Sequence, residues 1–211
     1  MKYRLSILFI IFIIVNLYAD NVDKIIKNVQ KKYREIQLLY VDFKQVNRFQ
    51  LTNIENEVYG TIWISQDNKF RLETEDQTMV SNGENFWRYN KLENQVLIDY
   101  AKKSKQDIFL NNFLFQISDY YDGQILKEEK KGKNKILEIR LTPKTPEENY
   151  FKYIKVWIND GNWQFDKVLY VDFNDNEVEY LIEKMDSERT LTKSLFEFKS
   201  PEGADVVDLR F

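Results

Sequence analysis

Histidine and cysteine are both missing from this chain. Without them no Ser-His-Asp triad or Cys-His dyad can be assembled, no imidazole or thiolate is on offer to zinc, and no disulfide can form. There is also no thiol to carry a lipid anchor. Proline (3) and glycine (6) are scarce in the 211 residues, and no stretch rich in either divides the chain. One domain is therefore expected. Aromatic side chains, by contrast, make up 15% of the sequence, far more than the reactive groups on offer.

Long apolar runs are also rare. The exception is Leu5 to Leu17, preceded by Lys2 and Arg4 and followed by the small Ala19. That is the layout of a secretory signal peptide, and the run is shorter than a membrane-spanning helix needs. Residues 1–19 are expected to be the signal, cleaved after Ala19, and residues 20–211 a single mature domain. Without Lys2 and Arg4, 29 basic side chains face 34 acidic ones, a net charge of −5. Such a balance argues against nucleic acid or an anionic membrane as the main partner. The basic cluster from Lys127 to Lys135 reads as a solvated hairpin tip around Gly132.

Asp20 to Leu38 has the spacing of an amphipathic helix, with Val22, Ile25, Ile26, Val29, Tyr33 and Ile36 on one face. The period then switches to two. Short strands follow, from "LLYVDFKQVNRF" through "EVYGTIWIS", "KFRLETE", "TMVS", "NFWRYN" and "QVLIDY", separated by turn residues such as "QDN" and "NG". Lys105 to Ile117 reads as one or two short apolar helices. Strands resume near Gln124, Lys135, Tyr150, Phe165, Glu177 and Leu195. The expected fold is mainly β: an open, strongly curved antiparallel sheet, an incomplete barrel of about ten or eleven strands, with an N-terminal helix and a short helical lid.

Few motifs point to chemistry. Asp172, Asn174, Asn176 and Glu183 fall on calcium-loop positions, but Glu177 stands where the sharp turn needs glycine, so a β-turn is the better reading. No pair of carboxylates sits in apolar surroundings of the kind that tune a general acid. No catalytic residue, metal ligand or cofactor is expected. A sheet of this size that partly closes encloses a hollow, and one rank of side chains is expected to face it. That rank comprises Val41, Phe43, Ile62, Ile64, Phe70, Leu72, Trp87, Tyr89, Val96 and Ile98.

Four segments together resemble the LolA family of periplasmic lipoprotein carriers. "VDFKQV" (41–46) follows the helix as the family's F-x-Q strand does. "GTIWISQDNKFRLE" (60–73) resembles its G-x-[LI]-W-[VI] strand, turn and aromatic. "MVSNGENFWRYNKLENQV" (79–96) resembles its V-S-[DN]-G-x-x-[LF]-W-x-Y-[DN] block, and "FEFKSPEGADVVD" (196–208) its C-terminal F-x-F-x-P-x-G motif. The resemblance implies a curved sheet whose apolar cavity holds the acyl chains of lipoproteins. It implies transfer across the periplasm from an inner-membrane ABC-type releasing complex to an outer-membrane receptor. Phe109 and Phe113 in the helical insert would join the cavity residues above in binding acyl chains. The family's Arg-Pro pair after the tryptophan strand, whose arginine is associated with holding the lid, is replaced here by Gln66 and Asp67. Gln66 is expected to contact the lid as a weaker, neutral donor. Since the family's lipidated receptor needs a cysteine, the soluble carrier, a monomer, is the expected member.

Two other readings stand beside this one. The first is a periplasmic transfer protein for other lipids. The second is a structural β-protein of the outer membrane, suggested by the final Phe211. Strands such as "DFKQVNRF" lack the continuous apolar rank that a lipid-facing barrel requires.

Overall fold

The computed structural model describes residues 21–101, 114–190 and 192–210. The chain opens with helix α1 (21–34), whose Val22, Ile25, Ile26, Val29 and Tyr33 are all buried while its lysines face solvent. Six antiparallel strands follow: β1 (Leu38–Phe49), β2 (Ile54–Ser65), β3 (Lys69–Thr74), β4 (Gln77–Asn82), β5 (Asn85–Asn90) and β6 (Gln95–Tyr100). After a short helix α2 (Ile117–Tyr120) come β7 (Tyr121–Lys131), β8 (Asn134–Pro143), β9 (Phe151–Asn159), β10 (Gln164–Asp172) and β11 (Glu177–Asp186). The last strand is β12 (Asp205–Asp208).

All twelve strands form one sheet, in the order β12-β6-β5-β4-β3-β2-β1-β11-β10-β9-β8-β7. The sheet is open: β12 and β7 are its two edges. Residues with positive φ mark the tight turns, among them Asp67 (60°) and Asn68 (57°) between β2 and β3. This is where "QDN" predicts a turn, because Asn and Asp tolerate the left-handed region better than most side chains. Register shifts in the β1–β11, β9–β10 and β7–β8 pairings add local bends, and such bulges strengthen twist and curvature.

Two glycines let the concave face fill. A Cβ at Gly60 would stand 2.6 Å from Cζ of Phe43, its cross-strand partner. A Cβ at Gly123 would stand 2.8 Å from Cδ1 of Ile26. Gly60 therefore leaves room for the Phe43 ring, and Gly123 lets α1 seat on β7. The α1 side chains join Ile139, Leu141, Ile154, Val156 and Ile158 in one continuous core.

The C-terminal segment differs from the expected antiparallel strand "LFEFKSP". Lys193–Phe196 is a 3-10 helix lying against β3 and β4, and the strand comes later and runs parallel to β6. Phe196 is buried, and Phe198 packs against both Trp87 and Tyr89, with ring centroids 6.3 Å apart in each case. The segment thus covers the convex face of the sheet's first half. Residues 102–113, which hold most of the expected helical insert, lie outside the described residues. Ile117–Tyr120, at its end, is helical.

Candidate functional site: an apolar hollow in the concave face

Between α1 and the first half of the sheet the core is not filled. A cavity of about 320 Å³ opens there, walled by aliphatic and aromatic side chains. From β1 and β2 come Leu39, Val41, Phe43, Ile62 and Ile64. Leu72 and Met79 close one side, and Val168, Tyr170, Tyr180 and Ile182 the other. Phe43 packs edge-on against Tyr180 at 5.4 Å, and Tyr180 against Tyr170 at 5.8 Å, so an aromatic row crosses the floor from β1 to β10. Burial pushes the Tyr180 hydroxyl up to about 12 and that of Tyr170 higher than usual as well. Neither ionises in the physiological range, so the hollow carries no titrating group from these two rings.

The polar side chains of the wall gather at one end. Gln45, Thr74 and Gln77 line it where β1, β3 and β4 approach the hairpins at 50–53 and 75–76. Gln77 also belongs to a second, polar groove of about 410 Å³ on the same face, which includes Asp76, Arg88, Asn90 and Glu93. The opposite end is closed by Tyr33 of α1. Its ring stacks on Phe165 at 5.2 Å, its hydroxyl accepts from the Phe165 N–H (3.2 Å) and donates to Sδ of Met185 (3.8 Å).

Helix α1 also holds the chain next to the cavity. Nε2 of Gln30 and Nη2 of Arg34 both donate to the carbonyl of Phe115, at 2.9 and 2.6 Å. Gln30 is buried, so releasing that carbonyl strands a polar group away from water. Nε2 of Gln66 donates to the Arg34 carbonyl at 2.9 Å. Gln66 thus ties the β2–β3 turn to the last turn of α1, and Arg34 on the helix carries the cationic contact to residue 115.

Of the side chains expected to face a hollow, the structure brings Val41, Phe43, Ile62, Ile64 and Leu72 together on its wall. Phe70 points the same way but is buried against Phe86 (6.1 Å) behind the lining. Trp87, Tyr89 and Val96 stand on the other face. Met79 is paired with Arg88 and Arg88 with Leu97, so these occupy the concave rank and their neighbours the convex one. Trp87 and Tyr89 are filled in by Phe198, while Val96 pairs with Val206. Phe109 and Phe113 lie outside the described residues. The sequence reading misses Tyr33, Gln30 and Arg34, and the β10–β11 wall. The alternation of Val178, Tyr180 and Ile182 with glutamates and leucine was the available signal for that wall.

The hollow, the helix across it and the twelve-stranded open sheet are the features to set beside known proteins. The family described as "Outer membrane lipoprotein carrier protein LolA" matches residues 34–199. The chain belongs to this LolA family. An outer-membrane lipoprotein carrier protein of Legionella pneumophila is 24% identical over 189 residues, covering 85% of this chain and 87% of its own. An uncharacterized protein of Methanocaldococcus jannaschii is 24% identical over 98% of this chain, which spans 61% of that relative's length. Among solved structures, an uncharacterized conserved protein of Thermus thermophilus shares the fold at a TM-score of 0.60, with 14% identity over 89% of this chain and 99% of its own. The LolA-type sheet is thus open rather than a closed barrel. Among the described residues no group of three or more acidic side chains converges as a metal site.

Proposed function

We propose that this LolA-family protein is a periplasmic carrier that shelters lipoprotein acyl chains in the hollow of its concave face. It would take them from an inner-membrane ABC-type complex and deliver them to the outer membrane. The observation that carries this reading is an apolar hollow of about 320 Å³, half open to solvent, between α1 and the concave face of the sheet. Apolar surface left facing water is costly, so a hollow of this size and lining suits an apolar ligand.

Magnitudes favour a reversible binder. A cavity of about 150 Å³ accepts benzene, so 320 Å³ has room for about a dozen carbons of one chain. Their burial is worth about 10 kcal/mol at about 0.8 kcal/mol per methylene. Association costs of about 4–15 kcal/mol offset much of that, leaving a complex that can release its cargo. Three full chains would approach about 36 kcal/mol, beyond the roughly 20 kcal/mol at which non-covalent affinity saturates. A multiply acylated cargo therefore enters only with widening of the hollow, and the hydrogen bonds of Gln30 and Arg34 to Phe115 are placed to resist that.

The test is mass spectrometry of what co-purifies with the protein from native periplasm. Acylated lipoproteins are the expected finding. Free phospholipid alone would favour the broader lipid-transfer reading, and an empty protein that also fails to bind a fluorescent fatty acid would sink the carrier reading.

A further inference from the structure

The two ends of the strands differ in their turns. At one end lie residues 66–68 (Gln-Asp-Asn), 83–84 (Gly-Glu), 132–133 (Gly-Lys) and 160–163 (Asp-Gly-Asn-Trp), polar or glycine except for Trp163, which packs against the core. At the other end three hairpin tips carry exposed apolar side chains, while the β3–β4 tip is Glu75-Asp76. Leu51 in the β1–β2 turn is 89% exposed, Leu92 in the β5–β6 turn 82%, and Ile54 and Phe173 each 56%. Scattered surface leucines are ordinary. Their concentration on three hairpin tips of one rim is not: at the other end the exposed apolar side chains are Tyr100 (40%) at the end of β6 and Leu209 (41%) after β12, not on hairpin tips.

These tips are held out by built structure. Arg48 bridges Glu55 at 2.8 Å and Glu179 at 3.2 Å, joining β1 to both neighbours just below the rim. The Gln50 N–H donates to Oδ1 of Asn176 at 3.0 Å, which ties the β1–β2 tip to the β10–β11 tip. Asp172 accepts from the N–H groups of Asn174 and Asn176 at 2.8 and 2.9 Å, so the turn displays Phe173 rather than folding it back.

We infer that this rim docks the protein on the surface of a lipid bilayer. The side chains stand on separate hairpins, with the β5 and β2 tips three strand spacings of about 4.8 Å apart. A fluid surface accepts several separate insertions, whereas a protein partner would meet disconnected patches. Each tip sets its apolar residue beside polar ones, Gln50 and Asn53, Lys91 and Glu93, Asn174 and Asp175. That is the arrangement of a segment lying at headgroup depth. The neighbouring charges are of both signs, so apolar insertion drives the contact, not attraction to anionic lipid. The polar end of the cavity wall, Gln45, Thr74 and Gln77, lies toward this same rim, which sets the hollow close to the bilayer that gives or receives an acyl chain. The docking inference does not depend on the cargo proposed above.

Flotation with phosphatidylcholine vesicles tests it. A chain starting at Asp20 contains every described residue and removes the apolar segment 5–17 from the assay. The wild type should float with vesicles at both low and high salt. Leu51→Glu combined with Ile54→Glu should weaken partitioning by about tenfold or more, as should Leu92→Glu with Phe173→Glu. Lys133→Glu on the opposite rim should leave it unchanged, and circular dichroism checks that all variants are folded. Wild-type protein that stays with the soluble fraction overturns the inference. So does binding abolished by salt, or rim and far-end variants that behave alike. Concentration-dependent dimers that the rim substitutions dissolve, without vesicle binding, would assign the rim to a second copy instead and overturn it equally.

Discussion

The concave face of the sheet is solid over β7 to β9 and hollow over β1 to β4. Under α1, Ile139, Ile154 and Val156 are almost wholly excluded from water and joined to the helix through one core. A few strands away, Ile62 and Leu72 line the cavity, as does Phe43 while it packs on Tyr180. The strands have the same alternating composition in both places. The difference lies in what covers them: Gly123 lets the helix close on β7, while the first half of the sheet is covered on its convex side by the C-terminal segment. The filled core lies in one half and the hollow in the other.

That contrast should appear first in unfolding free energies. Ile154→Ala removes atoms from the solid half and should cost about 3–4 kcal/mol in denaturant unfolding, whereas Leu72→Ala, beside a space that already exists, should cost about 1 kcal/mol. Equal costs would mean the hollow is filled in solution. Binding should divide the two faces of the sheet. Ile62→Asp puts a charge on the cavity wall and should weaken a fluorescent fatty acid by about tenfold or more. Trp87→Ala on the convex face should leave that affinity within about twofold. Releasing the Phe115 carbonyl is a smaller effect. The Gln30→Ala, Arg34→Ala double variant should lower local stability by about 1–2 kcal/mol, seen as faster amide exchange in residues 115–120 with exchange in β9 unchanged.

The smallest effect concerns the cover on the convex side. Hydrogen bonds from the Arg210 side chain and backbone hold the Asp208 carboxyl down at about 2, below its ordinary value of about 3.9. A depressed carboxylate contributes stability that is present above the unfolded value and lost as pH falls through the folded one. Docking of β12 should therefore weaken between about pH 4 and pH 2, and limited proteolysis of residues 199–210 should report it. Asp208→Asn should remove that pH dependence. A C-terminus equally resistant at pH 2 and pH 5 would contradict this assignment.

The fold was largely legible in the sequence because its signals are local. The helix announced itself through the spacing of Val22, Ile25, Ile26 and Val29, and the hairpins through "QDN" and "NG". Strand β12 was not, because a parallel strand after a looping segment has no turn chemistry joining it to its partner. The site was half legible. In β1 to β3 one rank is plainly more apolar, and Val41, Phe43, Ile62, Ile64 and Leu72 do share a wall. In "NFWRYN" large apolar side chains occupy both ranks. Alternation cannot then choose a face, and the choice falls to Phe198, more than a hundred residues away in the chain. Arg34 was hidden for another reason: on a helix rich in lysines, one more cation looks like a solvated face.

An open sheet has two unpaired edges that a closed barrel lacks, and each is a template for another chain's backbone. Here one edge is β12, four residues long and carrying Asp205 and Asp208. The other is β7, whose outer half reads Lys-Glu-Glu-Lys-Lys from Lys127 and is exposed throughout. Bringing a second copy alongside either edge would have to strip water from these charged side chains along the new ladder. The charged run beside the hairpin tip therefore blunts an edge that an open sheet leaves exposed.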